Sequence, residues 1–339
     1  MYMKQPKKLL IMNILDILKR YTDENHRLSQ KEIVELLKNE YDMQADRKSV
    51  KRNLMNLIDF GYDIEYSENI RVNKNGGKEI VYTDWYLNRD FSDAELRLLI
   101  DSLLFSKHIP YSQCRELIEK LSGLSNIYFD ARIKRICTPT ENMPQNKELF
   151  YTIEILDEAV SKGKKVAFTY NLYDIDKKLH PCREKKYIVN PYQIAAANGR
   201  YYLIGNYDKY DNISHYRIDR ITNIELLDEK VKTKPANWTL PKHMAEHIYM
   251  FSGESGTVIF RAKRYIVSDI IDWFGTNITF TEETDEDVKV RVNVNLEAMR
   301  LWAMQYAKYV EIIHPASLRE EVISDLQEAA ENYSSGKLI

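Results

Sequence analysis

Between positions 199 and 220 the chain reads GRYYLIGNYDKYDNISHYRIDR, which puts five tyrosines, three arginines and one histidine into two short strand-like runs. Side chains alternate faces along a strand. Tyr201 and Leu203 fall on one face of the first run and Tyr202 on the other. In the second run Tyr216 and Ile218 share one face, and His215 and Arg217 the other. If the apolar pairs pack inward, Tyr202, His215 and Arg217 share an open face. A phenol ring stacks on a base and a guanidinium forks onto a phosphate, so this face suits a nucleotide. The plainer arrangement, a tyrosine-rich half-buried sheet with an Arg–Asp network, fits the same spacing.

A second group lies near the start. Asp46 is a predicted N-cap, and Val50, Leu54, Leu57 and Ile58 then point inward at helical spacing. The outward residues are Arg47, Lys48, Ser49, Lys51, Arg52 and Asn53. Cations at this density suit phosphates and guanine edges, and Asn53 suits an adenine. A merely solvated helix face is the other reading, since residues 1–88 are nearly balanced in charge.

A third group is His243-Met244-Ala245-Glu246-His247. Two histidines four apart on a helix can ligate zinc, with a glutamate as base. No third ligand stands in a matching second helix, so the stretch reads as an amphipathic turn, and no metal or cofactor is expected. Cys114, Cys137 and Cys182 form no CxxC pair, and there is no Walker motif or dinucleotide fingerprint. An enzyme is not expected.

The elements that must position these groups follow from periodicity. Leu9 to Leu18 carry a helical stripe. Ser29 followed by Glu32 marks a second helix, and the basic helix is the third. DIEYSE, IRVNKNGGKE and IVYTDWYL then form a hairpin with Arg71, Lys74 and Lys78 around its tip. Residues 1–88 therefore read as a winged helix-turn-helix, whose third helix enters a DNA groove. Two apolar helices make a connector over 89–147, with a boundary near the polar NMPQNKE. A helix and five short strands over 148–230 suggest an Sm- or SH3-like β-barrel. Residues 231–339 follow a β-α-β-β-α-β order, ferredoxin-like, with one added helix. The fold class is α+β, multidomain.

The 339 residues carry a net charge of only −2, which argues against a wholesale polycation but leaves room for a local basic face. The first 21 residues are amphipathic, interrupted by Asn13, Asp16 and Lys19, which fits neither a signal peptide nor a membrane span. A cytoplasmic protein with no membrane partner is expected.

Asn190-Pro191-Tyr192, Gly199-Arg200-Tyr201-Tyr202-Leu203-Ile204-Gly205 and Tyr216-Arg217-Ile218-Asp219-Arg220-Ile221 resemble the signature of a WYL domain, with Tyr-Tyr-Leu in place of Trp-Tyr-Leu. Asp46 to Arg52 resembles the recognition helix of the DeoR-like winged helix that precedes WYL domains, with Asn53 where aspartate is usual. Phe274-Gly275, Leu301-Trp302 and His314-Pro315-Ala316-Ser317-Leu318-Arg319 resemble the WCX extension. The resemblance covers the whole chain in that domain order. It implies a transcription regulator whose WYL domain senses a nucleotide or oligonucleotide; because helix-turn-helix readers usually pair to read two half-sites, a homodimer on a duplex DNA operator is expected. It places the ligand face on Tyr202, His215, Arg217 and Arg220, with Arg183 as a further member, and Lys74 and Lys78 join the DNA-binding set. The alternative is an RNA-binding or defence-associated adaptor that uses the barrel as its main interface.

Overall fold

Three helices near the N-terminus close around one apolar core because each presents a single buried stripe, and the second and third also begin at side-chain caps. The computed structural model describes residues 6–72, 78–106, 108–136, 146–235 and 238–334. The chain divides into two compact units, Met1–Ser106 with Tyr111–Met143, and Lys107–Pro110 with Pro144–Ile339.

In the first unit, α1 (Leu10–Tyr21) buries Ile14, Leu15, Ile17 and Leu18. At α2 (Gln30–Tyr41) the backbone N–H of Glu32 donates to the Ser29 hydroxyl, while the Glu32 carboxylate accepts from the Ser29 N–H at 2.7 Å. That reciprocal cap satisfies two otherwise orphaned donors. For α3 (Arg47–Phe60), Asp46 accepts from the Ser49 N–H at 2.8 Å. The helix stops at Gly61, whose φ of +113° excludes most other residues. Strands β1 (Ile64–Val72) and β2 (Lys78–Leu87) pair antiparallel, and Trp85 of β2 bridges to Leu28 and fills the core beneath the helices. The expected tip turn at 75–77, with Lys74, lies outside the described residues.

Helices α4 (Asp93–Phe105), α5 (Tyr111–Ser122) and α6 (Ile127–Ile136) follow. A second reciprocal cap, Ser92 with Glu95, starts α4. The sequence reading had two helices here, and α6 is the one it missed. Among the described residues of α6, Phe129 and Ile133 are the buried hydrophobics, too short a stripe to stand out. Arg89 ties the segment down by donating to the Thr22 carbonyl at 2.7 Å and the Lys19 carbonyl at 2.8 Å.

The second unit opens with α7 (Leu149–Lys162), which packs on an antiparallel six-stranded sheet. Its strands are β3 (Lys164–Tyr173), β4 (Leu179–Pro181), β5 (Tyr187–Ala197), β6 (Arg200–Tyr207), β7 (Ile213–Arg217) and β8 (Ile221–Lys230). The order β4-β3-β5-β6-β7, with β8 on β3, makes a curled half-barrel. The five expected strands are present, and β4 is additional. The stretch read as a turn is instead a helix, α8 (Leu240–Glu246), with Pro241 in its first turn.

A second antiparallel sheet is ordered β10-β11-β9-β12, from β9 (Ser255–Lys263), β10 (Thr279–Thr281), β11 (Asp287–Asn295) and β12 (Val310–His314). Helices α9 (Val267–Phe274), α10 (Leu296–Gln305) and α11 (Ala316–Ser334) complete the chain. Alternate residues of β9 and β11, among them Phe260, Val290 and Val294, meet Trp302 of α10, whose ring lies 4.8 Å from Phe274 and 5.4 Å from Phe260. Among the described residues no helix is long and apolar enough to cross a membrane.

Candidate functional site

Strands β6 and β7 pair with Tyr202 opposite Arg217, Leu203 opposite Tyr216, and Ile204 opposite His215. Residues directly opposite in an antiparallel pair share a face. Tyr202, His215 and Arg217 are therefore on one face and Leu203 and Tyr216 on the other, as alternation predicts. The expected openness of the first face is not found. Met250, Trp238, Leu240 and Met244 pack over Tyr202 and Ile204, and Tyr202 is only 7% exposed. Amphipathic α8 and its flanks need an apolar bed, and this face supplies it. The opposite face is filled by rings, with Tyr216 edge-on to Phe168 at 5.4 Å and to Tyr170 at 5.5 Å.

His215 meets His243 and His247 under that cover. Its Nε2 lies 2.6 Å from His243 Nε2, and the rings of His243 and His247 stack at 4.0 Å. Burial, with the neighbouring imidazoles adding to it, holds His215 down to about 3 and His243 to about 4. His247 is lowered too, again through burial. All three are neutral near pH 7.

Arg217 commits its guanidinium to Asp219, Nε to one carboxylate oxygen at 3.1 Å and an Nη to the other at 2.6 Å, and its backbone N–H donates to the Tyr170 hydroxyl at 3.2 Å. Arg220 sits with its guanidinium 6.0 Å from the Tyr173 ring centre. Arg200, on the same strand face as Tyr202, is the third cation of the cluster. All three arginines and Asp219 are in electrostatic reach of Tyr173, whose hydroxyl is pushed above its ordinary range chiefly by burial. Among the described residues the Nε atoms of Arg200 and Arg220 are buried with no hydrogen-bond partner. Buried donors are nearly always satisfied, so two unmet guanidinium Nε atoms beside an aromatic ring make the cluster a candidate site for an acceptor. Three guanidinium charges against one carboxylate leave an excess of two positive charges. His108 borders the group; its Nδ1–H donates to the Gly199 carbonyl at 3.0 Å, and its ring stands edge-on to Tyr201.

Arg183 is not brought to this cluster. It stacks 3.4 Å over Tyr187 and donates to the Tyr207 hydroxyl at 2.8 Å. Tyr207 is five residues from Tyr202, so it lies on the tyrosine-filled face. There Arg183 borders an open cleft of about 610 Å³ with Lys185, Lys186 and Lys209.

Several motif residues prove to be structural. Asn190 is fully buried, donates to Asn206 and Asp208 at 3.0 Å, and accepts from the Lys232 N–H. A Cβ on Gly205 would stand 2.7 Å from the Asn190 carbonyl oxygen, so that position excludes any side chain.

On α3, Arg47, Lys48 and Arg52 are exposed. Lys51 lies 3.7 Å over the Tyr82 ring of β2, and the Asn53 amide donates to the Ser49 carbonyl at 2.8 Å. Ser49 uses its backbone N–H in the Asp46 cap. Lys78 is exposed at the start of β2. Sequence reasoning missed Arg200, Tyr173 and His108. Arg200 was findable by the same alternation that selected Tyr202, whereas nothing local marks Tyr173 or His108.

A half-barrel capped by a helix and followed by a four-stranded α/β layer defines a two-part C-terminal architecture with a cationic aromatic cluster in its first part. Residues 151–226 match the WYL domain and residues 254–330 the WCX domain, so the chain carries both. The N-terminal three-helix segment lies outside both matches. Comparison with curated proteins gives no match. Among solved structures, the chain is similar to "Proteasome accessory factor B/C (PafBC) of Arthrobacter aurescens", with 14% identity and a TM-score of 0.27 over 94% of this chain and 48% of that one. It thus spans about half the length of that relative. It is also similar to a protein described as "CRISPR Cas-related", with 15% identity and a TM-score of 0.38 over 99% of this chain and 88% of that one.

Proposed function

We propose that the protein is a non-enzymatic, ligand-responsive transcription regulator: residues 1–88 bind duplex DNA as a winged helix, and the WYL half-barrel, read as Sm/SH3-like, takes an anionic nucleotide or oligonucleotide. The observation that carries the sensor half is the pair of unmet guanidinium Nε atoms, Arg200 and Arg220, around Tyr173. Two forks and a ring recognise a phosphate with an adjacent base. Arg217 is the switchable member, since an incoming phosphate competes with Asp219 for its fork. Tyr202 and His215 shape the site from beneath α8 and do not touch the ligand.

The DNA half is supported by the exposed Arg47, Lys48 and Arg52 at the N-terminal end of α3, with Lys78 on the adjoining hairpin. Lys51 and Asn53 hold the helix to its own surroundings. Homodimerisation is supported by the exposed Leu98, Leu99 and Phe105 of α4, an apolar strip that a second copy would cover. The C-terminal layer, with the strand order of a split β-α-β fold, is read as ferredoxin-like. A cytoplasmic location follows from this role.

Fluorescence anisotropy with labelled nucleotides, short single strands and duplexes tests the reading on the full chain. Wild type should bind an anionic nucleotide or single strand, and Arg200→Ala and Arg220→Ala should bind it at least tenfold more weakly with unchanged melting temperature. Variants that bind like wild type overturn the sensor assignment. Tight RNA binding that Arg47→Ala and Arg52→Ala leave untouched, with no duplex binding, points to the adaptor role instead.

A further inference from the structure

We propose that His215, His243 and His247 form a binding site for a borderline divalent transition ion of the Zn²⁺ class, a site independent of the nucleotide reading. One ring nitrogen from each of the three lies within 4.8 Å of the others. His243 and His247 are four apart, which sets them on one face of the α8 turn. That face looks onto β7, where His215 projects from the sheet side that α8 covers.

The tautomers suit ligation. His247 Nδ1 lies 2.8 Å from the His243 carbonyl oxygen, so Nδ1 carries the proton and donates it there, and Nε2 keeps the lone pair. This is the arrangement in which a second hydrogen bond orients a metal-binding imidazole. The donor set is all nitrogen, which suits Zn²⁺, Ni²⁺ or Cu²⁺ and not Mg²⁺ or Ca²⁺. Three protein ligands leave a fourth tetrahedral position for water or another donor.

The spacing also fits. The Nε2 atoms of His215 and His243 stand 2.6 Å apart, which two imidazoles tolerate only by sharing one proton. Zn–N bonds of about 2.0–2.1 Å at a tetrahedral angle hold two nitrogens about 3.3–3.4 Å apart. Side-chain torsions supply that opening of under ~1 Å without moving a strand. Among the described residues His215 Nδ1 is a buried atom with no hydrogen-bond partner, and ligation through Nε2 leaves it so. Glu246 is turned to Asn293, 2.7 Å from its amide, which places it in the role of fixing α8 to β11. An ion at the trio would clip α8 onto the half-barrel.

Full-length protein stripped by chelator is titrated with Co²⁺ and then Zn²⁺. The expected result is one ion per chain, the visible bands of tetrahedral nitrogen-ligated Co²⁺, their bleaching by one equivalent of Zn²⁺, and a raised melting temperature with Zn²⁺. His243→Gln and His247→Gln should weaken Co²⁺ binding by at least the ~10–100-fold that outer-shell changes already cost. His180→Gln, on the exposed β4, should bind as wild type. Absence of saturable Co²⁺ binding to wild type overturns the proposal, and so does binding that both glutamine variants retain. Should the variants misfold, the stoichiometry, spectrum and melting shift of wild type decide alone.

Discussion

Tyr202 and Arg217 stand directly opposite each other across β6 and β7, on one face of the sheet, and neither is free: Tyr202 lies beneath Met250 and Trp238, and Arg217 is forked to Asp219. The pairing makes one position packing and the other half of a largely enclosed ion pair, and the two respond differently to substitution.

Tyr202→Ala empties a covered site. It should destabilise the second unit by about 3–5 kcal/mol, the usual cost of removing a core aromatic. Tyr216→Ala should cost as much, since its ring is also 7% exposed. Chemical denaturation followed by tyrosine and tryptophan fluorescence checks both, and a Tyr202→Ala midpoint matching wild type would show that α8 does not cover this face in solution.

Asp219→Ala should leave Arg217 in a largely enclosed place without its partner. The carboxylate side is 7% exposed and the guanidinium side 15%, so screening by water is slight. Breaking such a pair on one side costs about 3–5 kcal/mol. Excess phosphate should restore part of the lost melting temperature if the freed fork accepts an anion, and chloride at equal ionic strength should not.

Arg47→Ala and Arg52→Ala should each weaken duplex binding and reduce the slope of log affinity against log salt by roughly 0.9 per lost phosphate contact. Lys51→Ala should instead cost stability of about 0.5–1 kcal/mol through the Tyr82 contact, with the salt slope kept. A salt titration of the three variants separates the roles.

His108 is buried and its pKa is lowered from the usual 6.5, mainly by burial. Above that value both folded and unfolded chains hold it neutral, and its contribution is complete. As the pH falls from about 6.5 toward the lower folded value, the unfolded chain takes a proton that the folded chain refuses, so stability drops by up to about 1.4 kcal/mol per pH unit. His108→Gln removes that share. Unfolding free energy measured from pH 7.5 to 5 with chelator present should fall less steeply for the variant, and parallel curves would contradict the assignment.

The N-terminal unit was legible because its information is local. Ser29 with Glu32, Asp46 before Arg47, and the stripe through Val50, Leu54 and Leu57 each specify an element within one or two helical turns, and caps and periodicity depend on nothing further away. Strand alternation likewise placed Tyr202, His215 and Arg217 on one face, because side-chain parity is a property of the strand itself. What covers that face is a matter of tertiary packing. α8 lies about 30 residues beyond β7, and only the closed fold turns Tyr202 from a presumed ligand contact into core. The same packing brings His215 to a His-x-x-x-His pair that looked incomplete, and it moves Arg183 to the opposite face while drawing Arg200, Arg220 and Tyr173 together. A sequence states which side a residue is on. Whether that side meets water, a helix or a ligand is decided by segments far along the chain, whose approach is set by the sum of buried apolar area rather than by any local pattern.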